Sequence, residues 1–126
     1  TMKFEFSSKL LLFTTIFAFA PIGCKKKVHV QCSDSPKSVR MNTEQAFIAV
    51  CPANCASAFG SVWGSGPYTT DSSICRAAIH GGAIKDAEGG GVTVKLRPGQ
   101  GSYSATVANG VASGSWGAYD SGFDVK

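Results

Sequence analysis

The sequence is poor in the groups that most enzyme chemistry needs. Histidine occurs only as His29 and His80 in 126 residues, and the eight carboxylates are scattered. A histidine-rich metal site is therefore excluded, and a glycosidase, which requires two carboxyl groups facing each other across a cleft, finds no paired candidates. No G-x-S-x-G elbow frames a nucleophilic serine, and no G-x-G-x-x-G or Walker spacing offers a phosphate cradle. Internal repeats, coiled-coil heptads and Pro-rich linkers are missing as well. The formal charge of +4 comes from the N-terminal part, because beyond Lys27 seven basic residues face seven acidic ones. A neutral domain without a basic stripe gives no footing for nucleic acid and implies no strongly ionic partner. The chain reads as a non-enzyme with no cofactor and no metal.

What is present at the N-terminus is an export pattern. Lys3 and Lys9 precede "LLLFTTIFAFAPIG", an uncharged run of 14 residues, too short to span a bilayer and placed where a cleaved secretory peptide sits. It ends in "PIGCKKK", with Ile22 and small Gly23 immediately before Cys24. This resembles the bacterial lipobox, apart from Pro21 where the pattern usually carries an aliphatic residue. The resemblance implies cleavage after residue 23 and lipid attachment at Cys24; the alternative is an ordinary signal peptide with Cys24 as a thiol or half-cystine. The chain has five cysteines, and acylating Cys24 leaves an even set of Cys32, Cys51, Cys55 and Cys75, which suits two bridges in an oxidising compartment. Lys25, Lys26 and Lys27 would then lie at the headgroup level, each gaining about 1 kcal/mol from anionic lipid; as an alternative they form a solvated tether. The expected organisation is a signal peptide over 1–23, a lipidated tether over 24–39 and one small domain over 40–126.

Strand signals dominate that domain. "QAFIAVC" is rich in apolar residues, "GVTVKL" alternates Val92, Val94 and Leu96, and "GFDV" reads as extended. "RPGQG" predicts a Pro/Gly turn, and Asn109-Gly110 predicts a tight hairpin. The cluster Gly89-Gly90-Gly91 reads as a flexible lead into a strand. One helix is expected over "DSSICRAAIH", residues 71–80, capped by Asp71 or Ser72, with Arg76 pointing outward and Gly81-Gly82 ending it. Its other side chains are small or apolar, so it should be buried on most sides. The fold class is α+β, a central α-helix wrapped by antiparallel β-strands and closed by two disulfides.

Cys75 and His80 invite a catalytic interpretation, but on a helix they point about 140° apart, so a nucleophile–base dyad fails on geometry. Their spacing also differs from the i, i+4 of two helical metal ligands. "CPANC" has three residues between its cysteines, one more than a thioredoxin-like site, and no second pair at zinc-site spacing accompanies it. Structural bridging is the favoured role for all four cysteines, and spacing alone allows three connectivities.

The stretch "VWGSGPYTTDSSICRAAIHGGAI", residues 62–84, resembles the signature of the LCCL domain family. "CPANC" upstream and "GGVTVKLRPGQGSY", "NGVAS", "WGAY" and "SGF" downstream are similar to its other blocks in the same order. The resemblance implies the same helix-in-strands fold, and it implies bridges Cys32–Cys51 and Cys55–Cys75. It places Trp63, Tyr68, Tyr103, Trp116, Tyr119 and Phe123 at or near aromatic family positions, mostly core. From these and His80, the candidate ligand surface is Trp63, Tyr68, His80, Tyr103, Trp116 and Tyr119. The implied function is a non-catalytic binding module at the cell envelope, an outer-membrane or cell-surface lipoprotein whose partners are the membrane and a carbohydrate or lipopolysaccharide-like glycolipid. The alternative is a structural lipoprotein whose partner is an envelope protein.

Overall fold

The computed structural model describes residues 25–39 and 46–126. Its elements are β1 (Lys27–His29), β2 (Ala46–Cys51), a single 3-10 turn (Cys55–Ser57), β3 (Tyr68–Thr69), α1 (Ile74–His80), β4 (Gly90–Gln100), β5 (Val107–Ala108), β6 (Val111–Ala112) and β7 (Tyr119–Val125). Five strands form one sheet in the order β1-β2-β4-β7-β3, and β5–β6 is a separate hairpin. Only β1 runs parallel to its neighbour; every other pairing is antiparallel.

Period-two alternation fixes which face of the sheet is covered. On β2, Phe47, Ala49 and Cys51 are buried, and on β4, Val92 and Val94. The register sets Phe47 opposite Val94, Ala49 opposite Val92 and Leu96 opposite Phe123, so one apolar stripe crosses three strands. The helix supplies the matching surface: Ile74, Cys75, Ala77, Ala78, Ile79 and His80 are buried, and α1 packs on the 3-10 turn, β6 and β7. Each fully buried large side chain contributes about 1.5–3 kcal/mol, and Phe47, Ile74 and Phe123 are completely enclosed.

The helix starts three residues later than the sequence pattern predicts. Ser73 is the N-cap, accepting from the Arg76 amide at 3.2 Å, and its hydroxyl donates to the Cys32 carbonyl. Asp71 and Ser72, the expected caps, are held elsewhere: Asp71 accepts from the Thr69 hydroxyl, and Ser72 Oγ accepts from the Trp63 amide at 2.9 Å. The end is as expected, with the Gly81 amide donating to Ala77 O at 2.8 Å and Gly82 at φ 79°. Arg76 does not point free into solvent. Its Nη1 donates to the carbonyls of Cys55, Ala56 and Ala58, gathering the 3-10 turn onto the helix.

Two further expectations change. "RPGQG" is not a turn, because β4 continues through Gln100, pairing Pro98 with Ser121 and Gln100 with Tyr119. Beyond Lys95 the described register of β4 lies with β7 alone, which leaves room for a proline on the side away from that ladder. The glycine between them permits close approach, since a Cβ on Gly99 would sit 1.8 Å from the Tyr119 carbonyl. By contrast the Asn109-Gly110 hairpin forms as expected, with both residues at positive φ, 52° and 81°.

Both disulfides form, but with other partners than the resemblance implies: Cys32 bonds Cys55, and Cys51 bonds Cys75. Cys51 is on the covered face of β2, in line with Phe47 and Ala49, and therefore meets the first turn of α1. After Cys51 the chain turns away through Pro52–Asn54, with Asn54 at φ 70°, and Cys55 meets the segment that follows β1. The segment expected to be a tether thus belongs to the fold from Lys27 onward. It supplies β1, the half-cystine Cys32 and the buried residues Val30 and Ser35.

Candidate functional site

The six residues expected on a ligand surface separate into an interior group and an exterior one. Tyr68, Tyr103 and His80 are 1%, 3% and 4% exposed, so they present almost no surface to solvent. Tyr68 Oη lies 2.9 Å from His80 Nδ1, while His80 Nε2 lies 3.0 Å from Thr106 Oγ1 and 3.3 Å from Thr106 O. A backbone carbonyl can only accept, so the contact to Thr106 O places a proton on Nε2, and in that neutral tautomer Nδ1 accepts from the Tyr68 hydroxyl. Both ring nitrogens are thereby used, in line with a histidine that packs at the helix end. Asn109 Nδ2 donates to His80 O at 3.0 Å, so the β5–β6 hairpin is fastened to the same helix end. Burial, followed by the negative charge of Asp124, pushes the Tyr68 phenol up to about 12.

Cys75 is fully buried and bonded to Cys51, so it is no nucleophile. Among the described residues no group of three or more His, Cys, Asp or Glu is placed to hold a metal ion, and no helix is long and apolar enough to cross a membrane. The signal segment 1–23 and the lipid-attachment candidate Cys24 lie outside the described residues; Lys25, Lys26 and Lys27 are exposed.

The exterior group consists of Trp63, Trp116 and Tyr119. Tyr119 is half-buried and engaged, its hydroxyl accepting from Lys37 Nζ at 2.7 Å while the ammonium stands 4.7 Å from the ring centre. This hydroxyl holds the Lys37 ammonium above its ordinary value. Trp63 is half-buried and Trp116 is 48% exposed. Their ring centres lie 5.0 Å apart with planes tilted by 53°. The corner is rigid because both backbones are tied down. Tyr103 and Trp116 exchange amide–carbonyl bonds of 2.8 and 3.0 Å, the Gly64 amide donates to Gly114 O, and the Gly114 amide donates to Val62 O.

Gly114, which the sequence pattern does not single out, makes the arrangement possible: a Cβ there would come within 2.6 Å of Trp63 Cζ3. The six-membered ring of Trp63 therefore comes directly against bare backbone. Its only trace in the sequence is the run "SGSWG", residues 113–117. Phe59, 93% exposed, and Val107, 77% exposed, are outward apolar residues that periodicity likewise does not reveal.

Fold and site together define a disulfide-clipped α+β module that presents an aromatic corner and keeps Cys51, Cys55, Cys75 and its helix-end histidine inside. The chain belongs to the LCCL domain family, whose model matches residues 22–123. It is similar to cochlin of Bos taurus, with 34% identity over 105 residues that make up 83% of this chain and 19% of that protein. It is similar also to vitrin of Mus musculus, with 42% identity over 67 residues, 53% of this chain and 10% of vitrin. A third relative is the discoidin, CUB and LCCL domain-containing protein 2 of Rattus norvegicus, 36% identical over 72 residues, 56% of this chain and 9% of that one. The chain thus spans a fifth or less of the length of these relatives.

Proposed function

We propose that this chain is a non-catalytic extracytoplasmic binding module, anchored by lipid at Cys24 and recognising a polysaccharide or lipopolysaccharide-like glycolipid of the cell envelope. The observation that carries this is the rigid, outward Trp63–Trp116 pair, set against the burial of Cys75 and His80 in structural bonds. An exposed indole has a cost in solubility unless a ligand uses it, and aromatic rings offer a flat apolar face with a polar edge. Exposed Lys25, Lys26 and Lys27 support a position at an anionic headgroup layer. The lipobox-like "PIGC" supplies the attachment point.

Two measurements test this. The intact mass of the full chain produced in a bacterial host should report loss of residues 1–23, acyl groups on Cys24 and two disulfides; a mass without acyl groups removes the anchor. A glycan array and lipid overlay with the same material should show binding, and silence across envelope glycans at near-millimolar protein would remove the ligand class. The second reading is a structural lipoprotein that holds an envelope protein. It is favoured by Phe59, which stands out of its loop at 93% exposure. Crosslinking in cells that repeatedly captures one protein, with glycans inert, would select it.

A further inference from the structure

The segments that build the aromatic corner carry no charge. Residues 57–70 and 98–119 contain no Asp, Glu, Lys, Arg or His. They meet through the Trp63–Gly114 bridge, and the Tyr103–Trp116 bridge closes the second segment on itself. Cations elsewhere in the fold are engaged: Arg97 pairs with Asp124 at 3.2 Å, Arg76 Nη1 serves three carbonyls, and Lys37 Nζ donates to Tyr119 Oη. A phosphate-bearing headgroup taken from water needs cations or converging amides in return, and this corner shows neither.

The same segments contain no Leu, Ile or Met. In sequence the rings are flanked by small residues, and Ser65, Ser115, Gly117 and Ala118 are exposed. An apolar peptide or acyl chain asks for a contiguous apolar patch, whereas here the indole pair stands in loops of serine, glycine and alanine. A pyranose has the complementary pattern, a flat C–H-bearing face surrounded by hydroxyl groups. Because backbone bonds and the flush Gly114 fix the indoles beforehand, little side-chain freedom is lost on binding.

From this we infer that the Trp63–Trp116 corner binds an uncharged sugar residue of a neutral polysaccharide, Trp116 stacking under the ring and Trp63 standing as a tilted side wall. The inference rests on the binding-module reading and narrows it, setting aside the phosphate-bearing glycolipid for this face.

The test is a tryptophan-fluorescence and calorimetric titration of the full chain in detergent with dextran, β-1,3-glucan and α-mannan, and in parallel with lipopolysaccharide. At least one neutral polysaccharide should bind. Trp116→Ala should weaken it by about tenfold or more, as for a central aromatic anchor, and Trp116→Phe should recover most of the loss. Phe59→Ala should leave it unchanged. Affinity should stay within about twofold between about 50 and 500 mM NaCl, since no ion pair is involved. Near-ultraviolet circular dichroism and the unfolding midpoint confirm that each variant is folded; if Trp116→Ala is not, Trp63→Phe and Trp116→Phe titrations give the decision through graded loss. Neutral binding indifferent to all Trp63 and Trp116 variants overturns the inference. Salt-dependent binding of lipopolysaccharide alone overturns it while leaving the binding module in place. Inertness toward every probe overturns both.

Discussion

Serine replacements made in pairs distinguish interleaved bridges from sequential ones. Between Cys51 and Cys55 lie Pro52, Ala53 and Asn54, so trypsin cannot cut there and tryptic mapping leaves their partners ambiguous. The matched variants Cys32→Ser/Cys55→Ser and Cys51→Ser/Cys75→Ser each keep one bridge, and no thiol other than Cys24 should titrate in either. The bridges span 23 and 24 residues, and the chain-entropy relation gives about 3.4 kcal/mol at 25 °C for either loop. Cys51 and Cys75 are both buried, whereas Cys32 is half-buried. Two hydroxyls left in the Cys51–Cys75 site without partners should add about 1–3 kcal/mol, making that variant the weaker. With a urea dependence of about 1–1.5 kcal/mol/M, 3.4 kcal/mol is a fall in midpoint of about 2–3 M. The mixed variant Cys32→Ser/Cys51→Ser loses both loops, about 7 kcal/mol together, which approaches the entire stability of a domain this size. It should be unfolded without denaturant, and Cys55 and Cys75 should titrate as free thiols. A folded mixed variant carrying a Cys55–Cys75 bridge, with a midpoint at or above the matched pair, would refute the interleaved arrangement.

Gly99→Ala forces a methyl group within 1.8 Å of the Tyr119 carbonyl, where only backbone can yield; a loss of at least about 2 kcal/mol by urea unfolding is expected, and a neutral result would deny the close β4–β7 approach. Ser73→Ala removes the N-cap and the bond to Cys32 O and should cost about 1–2 kcal/mol, with Ser73→Asp recovering the cap share. The Tyr68 phenol is raised to about 12 in the fold against about 10 unfolded. The folded state holds that proton more tightly, so its contribution is complete below pH 10 and is lost as pH rises from 10 to 12. The limit is about 3 kcal/mol. Unfolding followed from pH 8 to 12 should show this fall in the native chain and not in Tyr68→Phe; equal slopes would show that Tyr68 titrates freely.

Local patterns recovered the elements that depend on local chemistry. Apolar content located β2, alternation located β4, Asn109-Gly110 located the hairpin, and the lack of a polar face announced a buried α1. What was not legible depends on partners distant in sequence. Asp71 and Ser73 are both good cap residues by type; the choice falls on Ser73 because Thr69 occupies Asp71 and the Trp63 amide occupies Ser72. Pro98-Gly99 looks like a turn until β7 arrives to pair across it. The bridges follow the same logic. Cysteine spacing cannot order them, but the parity that buries Phe47 and Ala49 also aims Cys51 at α1, which leaves Cys55 for Cys32. Segment 27–39 reads as a tether on composition, yet β1 pairs in parallel with β2, a connection that composition alone does not disclose.

The same distinction governs the candidate site. A histidine and three tyrosines were eligible for a ligand by type, and the fold separated them by asking where each polar atom finds a partner. His80 has both nitrogens taken by Tyr68 and Thr106, and Tyr103 Oη accepts from the Gln100 amide at 3.2 Å. Buried polar atoms that are fully paired contribute to specifying the fold, and recruiting them to a ligand would require breaking what holds the β5–β6 hairpin and the β4 end in place. Trp63 and Trp116 are different, because their positions are secured through backbone amides and carbonyls and through the bare surface of Gly114. Their rings are dispensable for that framework. A surface whose geometry is maintained by the main chain while its side chains remain available can change its rings, and with them its ligand, at little cost to folding, which is the arrangement expected of a recognition module within the LCCL family.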